Sequence, residues 1–179
     1  MSENETAVWV ESDRTMDDRF IATIHVNDDL SIPLSRSHAL SYAAAAIRWA
    51  GIAEFEAAVA AQVRATAKEG DGDENVVVVL SALRQRRNSP PESSTKPLRY
   101  TPIVSARDGR PYVQVHIERE PLTQWTPEDV RQHAMHVLEC AVAAELDGQY
   151  FSVLAKTIGT PAEVARAAVM GLREHRRPS

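Results

Sequence analysis

Hydrophobic residues in this chain recur first at the two-residue spacing of a strand and then at the three- and four-residue spacing of a helix, and this succession occurs twice. Ala7–Glu11 predicts a short strand, Ser12–Asp18 a turn, and Arg19–Asn27 a second strand closing a hairpin. Leu30–Leu34, with Pro33, reads as an extended lead into a helix. Ser35 is a good N-cap because its hydroxyl can accept from a free amide of the first turn. The helix predicted after it, over Ala39–Lys68, carries Leu40, Ala43, Ile47, Ala50, Ala53 (or Glu54), Ala57 and Ala61 at three- and four-residue spacing. Asn75–Arg87 contains four successive valines, which favour a strand. We read it as a helix because its counterpart, Ala162–Arg176, has strong helical periodicity.

The second succession begins at Leu98–Ala106 and Tyr112–Glu118, a hairpin around Arg107-Asp108-Gly109-Arg110, whose Asp-Gly is a strong turn signal. Thr126-Pro127-Glu128-Asp129 starts a helix with a cap, a proline at the first position and acids in the first turn. That helix is expected to reach Asp147, with Tyr150–Thr157 continuing it or opening another. At a constant offset of 91, Arg19 falls on Arg110, Ile24-His25-Val26 on Val115-His116-Ile117, Ser35 on Thr126, Ile47 on Leu138, Glu54 on Glu145 and Phe55 on Leu146. At an offset of 89, Leu83-Arg84 falls on Leu172-Arg173.

The expected fold class is α+β. Two tandem strand-strand-helix-helix units with pseudo-twofold symmetry would share an antiparallel sheet of four strands, covered by helices on one face. The boundaries that follow are a disordered tail over 1–6, a first unit over 7–88, a Pro- and Ser-rich linker over 89–97, and a second unit over 98–177. The units would pack as one compact domain, each covering the other's apolar face.

Length and composition add limits. A chain of 179 residues with 44% hydrophobic and 25% charged residues can bury a core without a metal or disulfide. The single cysteine, Cys140, permits no intrachain disulfide and is expected as a small buried hydrophobe. The first residues lack the basic start and apolar stretch of a signal peptide, and no uninterrupted apolar run reaches about 18 residues, so a cytoplasmic location with no membrane contact is expected. Lysine occurs only at Lys68, Lys96 and Lys156, and alanine is abundant. That bias is associated with GC-rich genomes such as those of actinobacteria and their phages. The net charge of −5 offers no general basic field for nucleic acid.

Candidate chemistry is sparse. There is no Gly-x-Ser-x-Gly, P-loop, Gly-x-Gly-x-x-Gly, Cys-x-x-Cys or His-Glu-x-x-His. His25 and His116 each sit between apolar residues of a strand and point away from the core. They could serve a metalloenzyme, but no third ligand is marked by spacing. They read better as part of a polar sheet face, with Thr23, Tyr112, Gln114 and Glu118, offered to a partner. His133 and His136, three apart on a helix, lack histidine counterparts in the first half. Trp9, Trp49 and Trp125 read as core or hairpin-packing residues.

Arg84, Arg86 and Arg87, and Arg173 and Arg176, end the two units, where the helix dipole favours cations and an anion could also be held. Leu154–Arg166 resembles part of a helix-turn-helix or ribbon-helix-helix, with Ala155 and Gly159 suitably spaced and Glu163-Val164-Ala165-Arg166 opening a second helix. The resemblance implies DNA contacts from residues 157–177, including Arg166. Against it, Val113–Glu118 is separated from this segment by a long helix, and the matching loop of the first unit, Glu69–Glu74, is acidic. The expectation is therefore a non-catalytic protein-interaction or adaptor protein, encoded by a phage or mobile element, with a protein partner and no cofactor. Homodimerisation through an open sheet edge is a further option, and a nucleic-acid-binding regulator is the alternative.

Overall fold

A computed structural model describes residues 6–15, 17, 19–27, 29–68, 70–87, 98–117 and 120–176, the side chains of 174–176 excepted. Residues 1–5 of the expected tail, the whole of the expected linker, and Glu118 lie outside the described residues. Strands β1 (Val8–Arg14), β2 (Phe20–Val26) and β3 (Leu30–Leu34) precede helices α1 (Arg36–Thr66) and α2 (Gly72–Arg86). Strands β4 (Leu98–Val104), β5 (Pro111–Ile117) and β6 (Glu120–Trp125) precede α3 (Pro127–Ser152), a π-helical turn over Val153–Thr157, and α4 (Ala162–Arg176).

The α+β class is as expected, but the strands form two three-stranded antiparallel sheets, ordered β1-β2-β3 and β4-β5-β6, rather than one sheet of four. Each hairpin gains a third strand that the sequence disguised. Leu30–Leu34, expected as an extended lead-in, is a paired strand although Pro33 cannot donate to a ladder. Here β3 is an edge strand, where a proline is tolerated, and Pro33 lies opposite Thr23. Glu120–Trp125 repeats the device with Pro121 opposite His116. Pro102 sits in β4, the other edge of the second sheet.

Local chemistry sets the remaining boundaries as expected. Ser35 Oγ accepts from the His38 amide at 3.3 Å, capping α1. Thr126 and Asp129 form a full capping box at the start of α3. Asn27 adopts φ 48°, and its Oδ1 accepts from the Ala7 amide, extending the β1–β2 ladder. Gly109 supplies φ 69° in the turn before β5. The valine run is helical. In α2 this turns Val76 inward while Val77 and Val78 face out. No helix among the described residues is long and apolar enough to cross a membrane.

The apolar faces are covered crosswise. Helix α1 packs chiefly on β4 and β5 of the second sheet, while α3 packs on β1 and β2 of the first. The two helices also pack extensively on each other. Ala22, Ile24 and Val26 of β2 and Val113 and Val115 of β5 join both helices in one contiguous core. A satellite cluster of Ala60, Val76 and Leu80 seats α2 on α1.

The buried stripe of α1 corrects the sequence reading. It is made of Ala39, Ala43, Ala46, Ala50, Ala53, Ala57 and Ala60, with Tyr42 and Glu56, while Leu40 and Ile47 lie on the exposed side. Wedged against a sheet and a second helix, most of this stripe has room only for methyl groups; Tyr42 and Glu56 are the larger side chains that it admits, each with a buried polar partner or ion pair. Ala46 is fully enclosed. Ala46→Leu should lower stability by about 1–3 kcal/mol through overpacking, read as a drop in the urea midpoint. Exposed Ala44→Leu should stay within about 0.5 kcal/mol of the parent.

Candidate functional site

The two histidines of the strands sit on different sheets with different neighbours. Trp9 and Ser31 flank His25 across its sheet, whereas Arg99 and Pro121 flank His116. The His25 ring stacks on Trp9, centroids 5.1 Å apart, and its Nδ1 lies 2.9 Å from Ser31 Oγ. Its Nε2 comes 3.1 Å from Glu11 Oε1, near enough for an ion pair but not aligned as a hydrogen bond. Thr23 is buried, with its hydroxyl unsatisfied. On the second sheet, the Gln114 amide donates to the Thr123 carbonyl at 3.1 Å and its oxygen accepts from Gln124 at 3.0 Å. Tyr112, Gln114 and His116 are half-buried. The expected single polar face is therefore divided between two sheets, and of its members His25 and Gln114 bond to neighbouring strands. Among the described residues, no group of three His, Cys, Asp or Glu side chains is placed to hold a metal.

The arginines at the ends of α2 and α4 turn inward to carboxylates. Glu56 of α1 is fully buried. Its Oε2 accepts from Arg84 Nε at 3.0 Å and Nη2 at 2.6 Å, and its Oε1 accepts from Arg87. Asp147 of α3 is equally enclosed, and its Oδ2 accepts from Arg173 Nε at 2.6 Å. Arg173 Nη2 also donates to Ser12 Oγ at 2.6 Å, and the guanidinium lies 5.2 Å from the Phe20 ring centroid. These bonds clamp α2 to α1, and α4 to α3 and the first sheet. Of the six arginines suggested for anion binding, Arg84, Arg87 and Arg173 are therefore committed internally. Arg86 is exposed, Arg166 is half-buried with a partner, and the side chain of Arg176 is not among those described.

At the centre lies a polar chain that the sequence reading missed. Tyr42 of α1 hydrogen-bonds both Tyr100 of β4 and, at 2.9 Å, Nε2 of His133 of α3, and Trp125 lies 4.8 Å from the His133 ring centroid. All three members of the chain are buried. Neutral His133 can accept from the Tyr42 hydroxyl, which in turn accepts from Tyr100 and satisfies the chain. Burial, reinforced by nearby His136, lowers the His133 pKa to about 4. Burial also raises both tyrosines above the ordinary phenol range. His136 is on the exposed side, so the two histidines of α3 do not converge. Cys140 is half-buried, and desolvation, with Glu139 and Glu11 near it, raises its pKa. A thiolate nucleophile is not favoured there.

The remaining feature is the outer surface of α1 and α3. Leu40, Ile47 and Phe55 of α1 are 52%, 41% and 57% exposed, and Met135, Val142 and Leu146 of α3 are comparably open. A shallow groove lined by Leu138, Val142, Ala143 and Leu146 runs along α3. Arg131 pairs with Glu54 at 2.9 Å, and Arg36 with Glu145 at 2.8 Å. The beginning of each helix is thus tied to the later part of the other, so the two run in opposite directions along a shared seam. Comparison with protein families, with curated proteins and with solved structures finds no match for this chain.

Two outcomes follow from the buried polar groups. Unfolded histidine takes up its proton near pH 6.5, whereas folded His133 resists until about pH 4. The stabilisation is therefore complete above about pH 6.5 and is lost as pH falls through 4, a change of about 3 kcal/mol. Urea titrations at pH 7, 5.5 and 4 measure it, and His133→Gln should flatten the dependence. Arg173→Ala should destabilise the fold by more than about 1 kcal/mol, because it removes the guanidinium that donates to the buried Asp147 carboxylate. The same truncation with Asp147→Ala added should cost less than the two single changes together in chemical denaturation.

Proposed function

We propose that this chain is a non-catalytic protein-binding scaffold acting through the outer face of α1 and α3. The observation that carries this reading is the row of large apolar side chains left in solvent on two adjoining long helices. Surfaces of this kind mark sites of protein interaction more often than isolated exposed residues do. Thr23, His25, Tyr112, Gln114 and His116 are weaker candidates as a binding surface, because they are divided between two sheets and are buried or half-buried.

In this reading the scaffold arose by duplication of a βββαα unit, with the two halves related by a pseudo-twofold axis. Tyr42 and His133, 91 positions apart, meet in one hydrogen bond. Glu56 and Asp147 stand at the same separation, and each is answered by an arginine of the following helix. Glu54 and Glu145 bridge to the opposite helix in the same way. A cytoplasmic location and an origin in a phage or mobile element belong to the same reading, supported only by composition.

Duplex binding by residues 157–177 is disfavoured because Arg173 serves Asp147, while Ile158, Val164, Met170 and Leu172 present apolar surface in that segment. The test is affinity capture from host lysate with the parent chain and with Val142→Glu/Leu146→Glu. A partner retained by the parent and at least about tenfold depleted on the double variant is expected from burying a charge in an apolar contact. Equal recovery on both would remove the helix face from consideration.

A further inference from the structure

We infer that the helix face binds a second copy of this chain, with α1 of one protomer lying against α3 of its partner. This rests on the protein-binding reading above and names the occupant of that surface. Arg48 follows Ile47 on α1 and is exposed; Glu139 follows Leu138 on α3 and is exposed. Neither is ion-paired within the chain among the described residues. Arg48 lies between Arg36 and Glu54, and Glu139 lies between Arg131 and Glu145, so both sit between the two ion pairs that cross the seam.

A face that presents apolar rows and one central charge of each sign is complementary to itself. Turned about a twofold axis lying along the seam, a second copy brings Arg48 against Glu139 of its partner, and the symmetry makes the contact twice. The alternative stacking of α1 on α1 would oppose like charges, which is costly when desolvated. The exposed leucine, isoleucine, phenylalanine, methionine and valine side chains would supply the apolar contact around those pairs.

The sheet edges are less suited to the task. Pro33, Pro102 and Pro121 occupy β3, β4 and β6, three of the four edge strands, and a proline blocks continuation of a ladder. Association through helices avoids that obstacle.

Sedimentation velocity and light scattering on the full chain at tens of micromolar test the inference. The parent should have twice the protomer mass of 19.8 kDa. Arg48→Glu and Glu139→Arg should each weaken self-association by at least about tenfold, with unchanged thermal unfolding of the dilute protein. Mixing the two variants should restore a dimer, because each then presents the charges the other lacks. A parent that stays monomeric, or charge variants that associate as well as the parent, would overturn the second copy as occupant. The lysate capture separates the two readings. A monomeric parent that still loses a partner on Val142→Glu/Leu146→Glu removes only the self-association, whereas no such loss removes the protein-binding reading with it.

Discussion

The structure depends on the exchange of helices between two small sheets. A three-stranded meander exposes one apolar face, and the helix that follows it in sequence does not lie chiefly on that face. Helix α1 crosses to β4 and β5, and α3 crosses to β1 and β2. Neither half can lose water from its core without the other, so one contiguous cluster spans both. The exchange also brings α1 and α3 together, and alanine makes that closeness possible. Seven alanines line the buried side of α1. Larger residues would hold the helix away from its neighbours, while smaller ones would weaken the helix itself.

Buried charge secures the periphery. Glu56 and Asp147 are enclosed between helices, where an unpaired carboxylate is strongly unfavourable. Each is met by an arginine from the second helix of its half, so α2 and α4 are fixed in orientation as well as covered. The arrangement spends the guanidinium groups internally. Arg84, Arg87 and Arg173, which in sequence read as candidates for holding an anion, face carboxylates of the chain itself.

The same crowding creates the exposed surface. With methyl groups taking the seam, Leu40, Ile47 and Phe55 have no place inside and project from the far side of α1. Helix α3 does likewise with Met135, Val142 and Leu146. The apolar outer face is thus a consequence of close packing on the inner one. The central Tyr42–His133 hydrogen bond joins the two helices at their buried sides, and Tyr100 connects that junction to the second sheet. The two helices are therefore joined to each other and to the second sheet from their buried sides.

Although α2 is legible only through its likeness to Ala162–Arg176, local sequence determined the α+β class, the hairpins, both principal caps and, by their periodicity, α1, α3 and α4. These depend on neighbours within a few residues: hydroxyls over free amides, an Asp-Gly turn, apolar spacing. Features that depend on distant parts of the chain carry no such local signal. Leu30–Leu34 reads only as an extended lead-in and Glu120–Trp125 has no assignment from sequence; each contains a proline, which lacks an amide donor, and the position of β3 and β6 at sheet edges makes that loss harmless. Leu40 and Ile47 matched the helical period as well as the alanines did, and only the narrow space between α1 and its neighbours decided which side turned in. Glu56 and Asp147 fell on apolar arcs, a signal of buried charge, but their arginine partners come from other helices. The Tyr42–Tyr100–His133 chain carries no local mark, because its groups meet only when two helices and a strand from both halves come together.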